Sequence, residues 1–326
     1  MDQIPTVLLT VIIGIAAIVV LYWVGFSLTR IFPRKFQPKL MPLVFIGPVF
    51  ALAAAFMIVP AFQTIQFSFM SDDLTTFVGF DNYVSIFNSP DFIDTLTNNA
   101  LWIAIVPFMS IVIGLAMATF SNSVGPIRER VFKSVVFMPM AISAISVSAI
   151  WKFAYSYRPE GNEQLGLLNA IIQWFGAAPV PLMTTDTFKL NSLLMMVAVL
   201  WGGAGFATVM MSAAIKGVPE ETVEAARIDG ANAAQLFFRI VLPQISGTVL
   251  SIFVTSLIGV MKIFDIVYAM TAGNNGTNVL GLMFVNDYFK YGKPGEASAI
   301  IIILLLFIIP VMFYQIRIYK KQEELR

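Results

Sequence analysis

Seven predominantly apolar runs divide the chain, at residues 7–28, 43–67, 98–120, 131–155, 191–215, 245–271 and 297–316. Each is near the roughly 20 residues that cross the hydrocarbon core of a bilayer as a helix. Pro48 and Pro60 predict kinks in the second run. The first run is too long for a cleaved leader, and no Lys or Arg precedes it. The polar segments between the runs differ in character. Residues 68–97 hold five Asp and no Lys or Arg, with helix starts expected at Asp81 and at Ser89-Pro90. Within 156–190, residues 165–175 read as a short helix lying in the membrane interface. A Gly/Asn-rich loop, residues 272–278, opens a polar segment that ends near Glu296.

One polar interruption is neither loose nor Gly/Ser-rich. Residues 219–243 read as two short helices joined by a tight turn. Pro219 suits a first helical position, and Glu220, Glu221 and Glu224 sit where the helix dipole favours acid. Ala225 and Ala226 leave a face that another surface can approach closely. Asp229-Gly230 is a turn signal, with Gly230 free to take the left-handed conformation that ends a helix. Asn232 and Gln235 have the spacing of a capping box, and the second helix is expected to stop before Pro243.

Composition narrows the class. Of 326 residues, 58% are hydrophobic and 12% charged, with a mean hydropathy of +0.82. Soluble domains carry about twice that share of charge, so the expected fold is an all-α polytopic membrane protein. A net charge of +1 gives no bulk attraction for nucleic acid. With neither Cys nor His, the chain has no thiolate chemistry, no histidine base and no usual transition-metal ligand. No phosphate-binding G-x-x-x-x-G-K-[ST] loop occurs. The chain itself is expected to catalyse nothing.

Seven spans make the polar segments alternate sides. One side collects Arg30, Arg34, Lys35, Lys39, Arg128, Arg130, Lys133, Lys216, Arg227, Arg239, Arg317, Lys320, Lys321 and Arg326, fourteen in all. The other has Arg158, Lys189, Lys290 and Lys293. The positive-inside rule puts the first side, with residues 219–243 and the C-terminus, in the cytosol and the N-terminus outside.

Polar residues inside the runs admit two uses each. Lys262 and Asp265 are three apart, on one helical face, and can pair. Charge at that depth marks function or a buried structural pair. Ser143, Ser146 and Ser148 in the fourth run and Thr255 and Ser256 in the sixth can bind a hydroxyl-rich solute or pack helices. Trp201-Gly202-Gly203-x-Gly205-Phe206 can loosen the fifth run and offer an aromatic face to a sugar, or pack closely.

Glu224-Ala225-Ala226, Gly230 four residues later and Ile240-x-Leu242-Pro243 resemble the EAA loop of ABC importer permeases. Residues 77–83 (FVGFDNY), Met138-Pro139 and Phe264-Asp265-Ile266-Val267-Tyr268 resemble the carbohydrate branch, in which the maltose importer's larger permease falls. Residues 137–143 (FMPMAIS), 149–153 (AIWKF) and 162–169 (NEQLGLLN) are most similar to permeases for α-glucosides and glucosylglycerol-type osmolytes. The likeness covers roughly residues 43–320.

It implies a six-helix permease domain, 41–326, behind an extra N-terminal helix and basic link, 1–40, in a bacterial inner membrane. Glu221, Glu224, Ala225, Ala226, Asp229, Gly230 and Pro243 become the surface that docks on an ATPase subunit. Positions matching the sugar site of that branch are Met140 and Ala144, Val199, Gly203 and Phe206, and Ser256, Val260 and Ile263. With Ser143, Trp201, Lys262 and Asp265 they form the expected solute pathway. The implied partners are a second similar permease, two ATPase subunits carrying the ATP and Mg, an extracytoplasmic solute-binding protein and a carbohydrate. The chain itself is expected to hold no cofactor and no metal. The competing class is a secondary transporter using Lys262 and Asp265 as an ion site, although no inverted repeat is visible; a third is a membrane scaffold.

Overall fold

A computed structural model of the chain describes residues 3–33 and 35–323. Arg34 and Arg326 of the basic set lie outside these residues. The chain divides into two compact units, Met1–Gln66 and Phe67–Arg326. Among the described residues the structure is helical, apart from one isolated antiparallel bridge between Met70 and Phe77. Among the described residues five helices are long and apolar enough to cross a membrane, or as many as seven if each of two bent helix pairs is one span.

In the first unit, α1 (Gln3–Thr29) and α2 (Gln37–Ala53) pack on each other, with Tyr22 stacked on Phe45 at 5.9 Å. A π turn, Ala54–Ile58, leads from α2 to α3 (Val59–Phe67), and the whole stretch Gln37–Phe67 is long and apolar enough to span. Pro60 has no N–H and crowds the carbonyl four residues back. The backbone meets it with a widened turn, in which Val59 N–H bonds Ala54 O.

The second unit opens with a short loop and α4 (Asp81–Asn88), followed at Pro90 by α5 (Pro90–Ser123), so both expected starts are present. Then come α6 (Pro126–Phe137), α7 (Ala144–Ala154), α8 (Leu167–Trp174) and α9 (Leu190–Lys216). The Gly-rich part of α9 does not loosen it, and the helix runs unbroken. The polar stretch holds α10 (Glu220–Ile228), α11 (Ala233–Gln235), a π segment Leu236–Val241 and α12 (Leu242–Gln244). Last are α13 (Ser246–Met261), α14 (Asp265–Thr271), α15 (Leu280–Val285) and α16 (Pro294–Glu323).

Two expected continuous spans are broken. The run 131–155 bends by 102° between Pro126–Ala141 and Ala144–Ala154. Pro139 lies in a tight 3-10 turn, Ile142 and Ser143 are extended, and the Ser143 hydroxyl caps α7 by accepting the Ser146 N–H. The run 245–271 is interrupted after Met261, where Lys262 leaves the helix and Phe264 is non-helical. Residues 233–244 meet α13 at a 70° bend.

The core of this unit gathers where α5 lies along α9 and α13. Trp102 and Val106 of α5, Met195 and Met196 of α9 and Val267 of α14 are almost wholly shielded and pack together. Lipid is as apolar as these side chains, so close van der Waals packing and not expulsion from water holds the cluster, and it fixes the helix breaks relative to the long helices.

Candidate functional site

Both broken spans turn at one place. A cavity of about 460 Å³ lies between α5, the α6–α7 break, α9 and the α13–α14 break. Ten of the twelve expected pathway residues line it: Met140 and Ala144, then Val199, Gly203 and Phe206, then Ser256, Val260, Lys262, Ile263 and Asp265. The breaks explain how residues of a membrane helix reach open space. Each interruption turns the backbone away from its axis and leaves the next residues facing a gap.

Ser143 and Trp201 do not line the cavity. Ser143 is held as the α7 cap, with its hydroxyl also 3.0 Å from that of Ser146. Trp201 packs edge-on against Trp151 at 5.9 Å, within the main core. Lys262 and Asp265 both line the cavity and are exposed, but they form no ion pair. The expectation of one shared helical face fails because the helix ends between them. Lys262 follows the last turn of α13, where a cation suits the helix dipole, and Asp265 is in the first turn of α14, where a carboxylate does. Neither needs the other.

One polar residue of the cavity was not expected. Ser110 of α5 lies 3.2 Å from Ser256, hydroxyl to hydroxyl. Its only signal in the sequence is a hydroxyl in the middle of an apolar run. On the far side of the α13 break is a second, smaller and almost wholly apolar cavity of about 270 Å³. Met261 lines that one, while Lys262, its neighbour in sequence, lines the first.

The other end of the unit carries the polar helix pair. Helix α10 buries no residue, and Ile228 at its end is 86% exposed. Pro219 caps α10 instead of entering it, with ψ of 128°. The turn takes the expected form: Gly230 has φ +85°, its N–H bonds Arg227 O, and Ala231 N–H bonds Ala226 O. These two bonds are the Schellman closure of a helix end. The capping box of Asn232 and Gln235 is present in both directions, each bond 2.9 Å. Pro243 does not end the second helix. A π segment widens the ladder ahead of it, and the helix passes through to Gln244. Glu221, Glu224, Ala225, Asp229, Gly230 and Pro243 are exposed, and Ala226 is half-buried.

Near the start of α16 a polar cluster ties loop to helix. Glu296 accepts from Lys293 and Ser85, and its own N–H bonds Asp72. Burial, then the charges of Glu296 and Asp72, push the Asp287 carboxyl up to about 6, against the pull of Lys293. Further along the bundle, Asn98 and Asn191 hold the loop 272–278 by its carbonyls.

Residues 110–323, from the cavity wall on α5 to the end of α16, match the family described as binding-protein-dependent transport system inner membrane component. The chain belongs to this family of inner-membrane transport components. It is 42% identical, over 87% of its length, to the whole of an osmoprotective compounds uptake permease protein, GgtC, of Synechocystis sp.. It is 35% identical over 97% of both chains to an alpha-glucoside transport system permease protein, AglF, of Rhizobium meliloti. Its fold matches chains of a bacterial ABC transporter involved in the import of alginate, with a TM-score of 0.71 over 86% of this chain and 95% of that one. A second structure of such a transporter, in complex with an alginate-bound periplasmic protein, gives 0.75 over 86% and 94%. Both are 20% identical in sequence. The expected fold, an all-α polytopic permease, is the observed one.

Proposed function

We propose that this family member is the permease subunit of an ATP-driven sugar importer whose solute is an α-glucoside or a glucosylated osmolyte. The observation that carries the reading is the convergence of both helix breaks on one cavity, with the uncovered helix α10 in the same compact unit. The names of two relatives, one for uptake of osmoprotective compounds and one for alpha-glucoside transport, support that solute class. The cavity wall is mainly apolar, with Ser110, Thr255, Ser256, Lys262 and Asp265 as polar points. That is the make-up of a site that stacks sugar faces and bonds a few hydroxyls.

In this reading a second permease, two ATPase subunits holding ATP and Mg, and an extracytoplasmic solute-binding protein complete the machine. The basic segments and residues 219–243 face the cytosol, and the N-terminus faces outward. Glu221, Glu224, Ala225, Ala226, Asp229, Gly230 and Pro243 form the ATPase-docking surface. ATP binding shifts that surface and biases the spans between two arrangements, opening the cavity to one side and then the other. This chain's own part is to bind, orient and release solute, with no bond made or broken.

The test is reconstitution in liposomes with the partner subunits. Uptake of labelled glucosylglycerol or an α-glucoside that requires ATP and the binding protein is expected. Uptake by this chain alone under an ion gradient would instead establish a secondary transporter.

A further inference from the structure

Helix α6 touches α9 twice, at both of its ends. At the upper end the two backbones meet. A Cβ on Gly205 would lie 2.5 Å from Phe137 Cα and 2.7 Å from Val136 O, so no other residue allows this approach. At the lower end the contact is polar. The Glu129 carboxylate accepts from Lys133 on its own helix and from Lys216 on α9, both at 2.5 Å. Lys133 also donates to Ser212 of α9, and Ser212 donates to Asn122 near the end of α5 at 2.6 Å. The Glu129 side chain is only 14% exposed, so this is a sheltered network and not a loose surface pair.

The spacing matches the geometry. Glu129, Lys133 and Phe137 are four apart and share one face of α6. Gly205, Ser212 and Lys216 share one face of α9, by the same periodicity. The two faces meet antiparallel, so α6 is pinned along its length and not at a point.

What lies beyond each end gives this pinning a consequence. Lys216 is the last residue of α9, and α10 begins four residues later at Glu220. Phe137 is the last residue of α6, and the turn that follows carries Pro139 and Met140 into the cavity wall. We propose that α6 is the strut that carries motion of residues 219–243 to the cavity wall, and that Glu129 and Lys216 are the positioning residues that engage it. Neither residue touches solute. The inference rests on the importer reading above and adds a route to it. The discrete physical element is the clamp, whose state biases a distant wall.

The chain has no cysteine, so single reporters can be introduced. One is Met140→Cys in the cavity wall and the other is Ile228→Cys at the exposed end of α10. In the complete reconstituted transporter, each is labelled with a small maleimide, with and without ATP and vanadate. The label is read by mass on this chain. With Glu129 and Lys216 intact, both reporters are expected to change labelling rate with ATP. In E129Q and in K216M the Ile228→Cys response is expected to persist. The Met140→Cys response should fall by about fivefold or more, the lower end of usual coupling between sites. K216R, which can still donate to the carboxylate, should restore it.

K216M keeps the Glu129–Lys133 pair and changes a side chain that is 52% exposed, so it guards against a simple folding failure. An unchanged Met140→Cys response in both variants overturns the proposal. Loss of both reporters' responses together also overturns it, because the clamp would then serve assembly. If neither reporter responds to ATP in the unsubstituted background, it is the importer reading that fails.

Discussion

At the scale of single residues, Asp287 and Ser143 are informative because their environments are unequal to their chemistry. An unfolded aspartate ionises near 3.8, and in the fold Asp287 does so near 6. Between those values the folded chain holds a proton that the unfolded chain has lost. The stabilising contribution is therefore complete below the lower value and disappears as pH rises through the upper one. Asp287→Asn is expected to raise the midpoint of thermal unfolding above pH 6 and to leave it unchanged below pH 4. A gain equal at all pH values would contradict this origin. Ser143→Ala removes the α7 cap, at a cost of about 1 kcal/mol. Its measurable sign is a lower unfolding midpoint without loss of the cavity. The serine was legible as a polar point in an apolar run. Its use as a cap depended on the break beside it, which local spacing left hidden.

At the scale of elements, turns and close approaches decide what is tolerated. Gly230 sits at φ +85° with open space where a side chain would go. Replacing it strains the backbone by about 1–2 kcal/mol for an ordinary residue, and asparagine escapes most of that. Gly230→Asn should therefore fold normally yet lose ATP-coupled uptake, because its bulk projects into the proposed docking surface. Retained coupling in that variant would count against the surface. Gly205 is the opposite case. A methyl there meets backbone, and Gly205→Ala is expected to cost about 1–3 kcal/mol of stability, seen as reduced yield of monodisperse protein.

The helix pair at 219–243 was readable almost residue by residue, since a left-handed glycine and a reciprocal cap are local signals. Its passage through Pro243 was not. A proline normally marks a boundary, and here a π segment absorbs the missing N–H. The break at 262–264 was equally hidden. Residues Lys262, Ile263 and Phe264 include no glycine or proline, and packing of Val260 and Ile266 into the core holds the break open.

At the scale of the whole molecule, apolar runs marked the candidate crossings and the spread of basic residues their proposed direction. The cavity emerged only when two broken spans were brought together, although eight of its residues had been named from resemblance and Lys262 and Asp265 from their charge. Filling it is the direct test of its role. Ala144→Trp is expected to lower ATP-driven uptake by about tenfold, the equivalent of roughly 1.4 kcal/mol in the barrier. Assembly with the partner subunits should be retained. Unimpaired uptake would mean that solute travels elsewhere.

The interruption after Met261 has a consequence for how such a protein changes its taste in solutes. Met261 faces the smaller, apolar chamber and Lys262 the larger one with its few polar points, and the helical register ends between that pair and Asp265. One residue inserted upstream rotates every later position of a helix by about 100°. Here that rotation would put the Met261 thioether in place of the Lys262 ammonium at the larger chamber, while the seven residues of α14 kept their own phase. The break acts as a swivel, and a lineage could retune one wall of the chamber by a single insertion without disturbing the other.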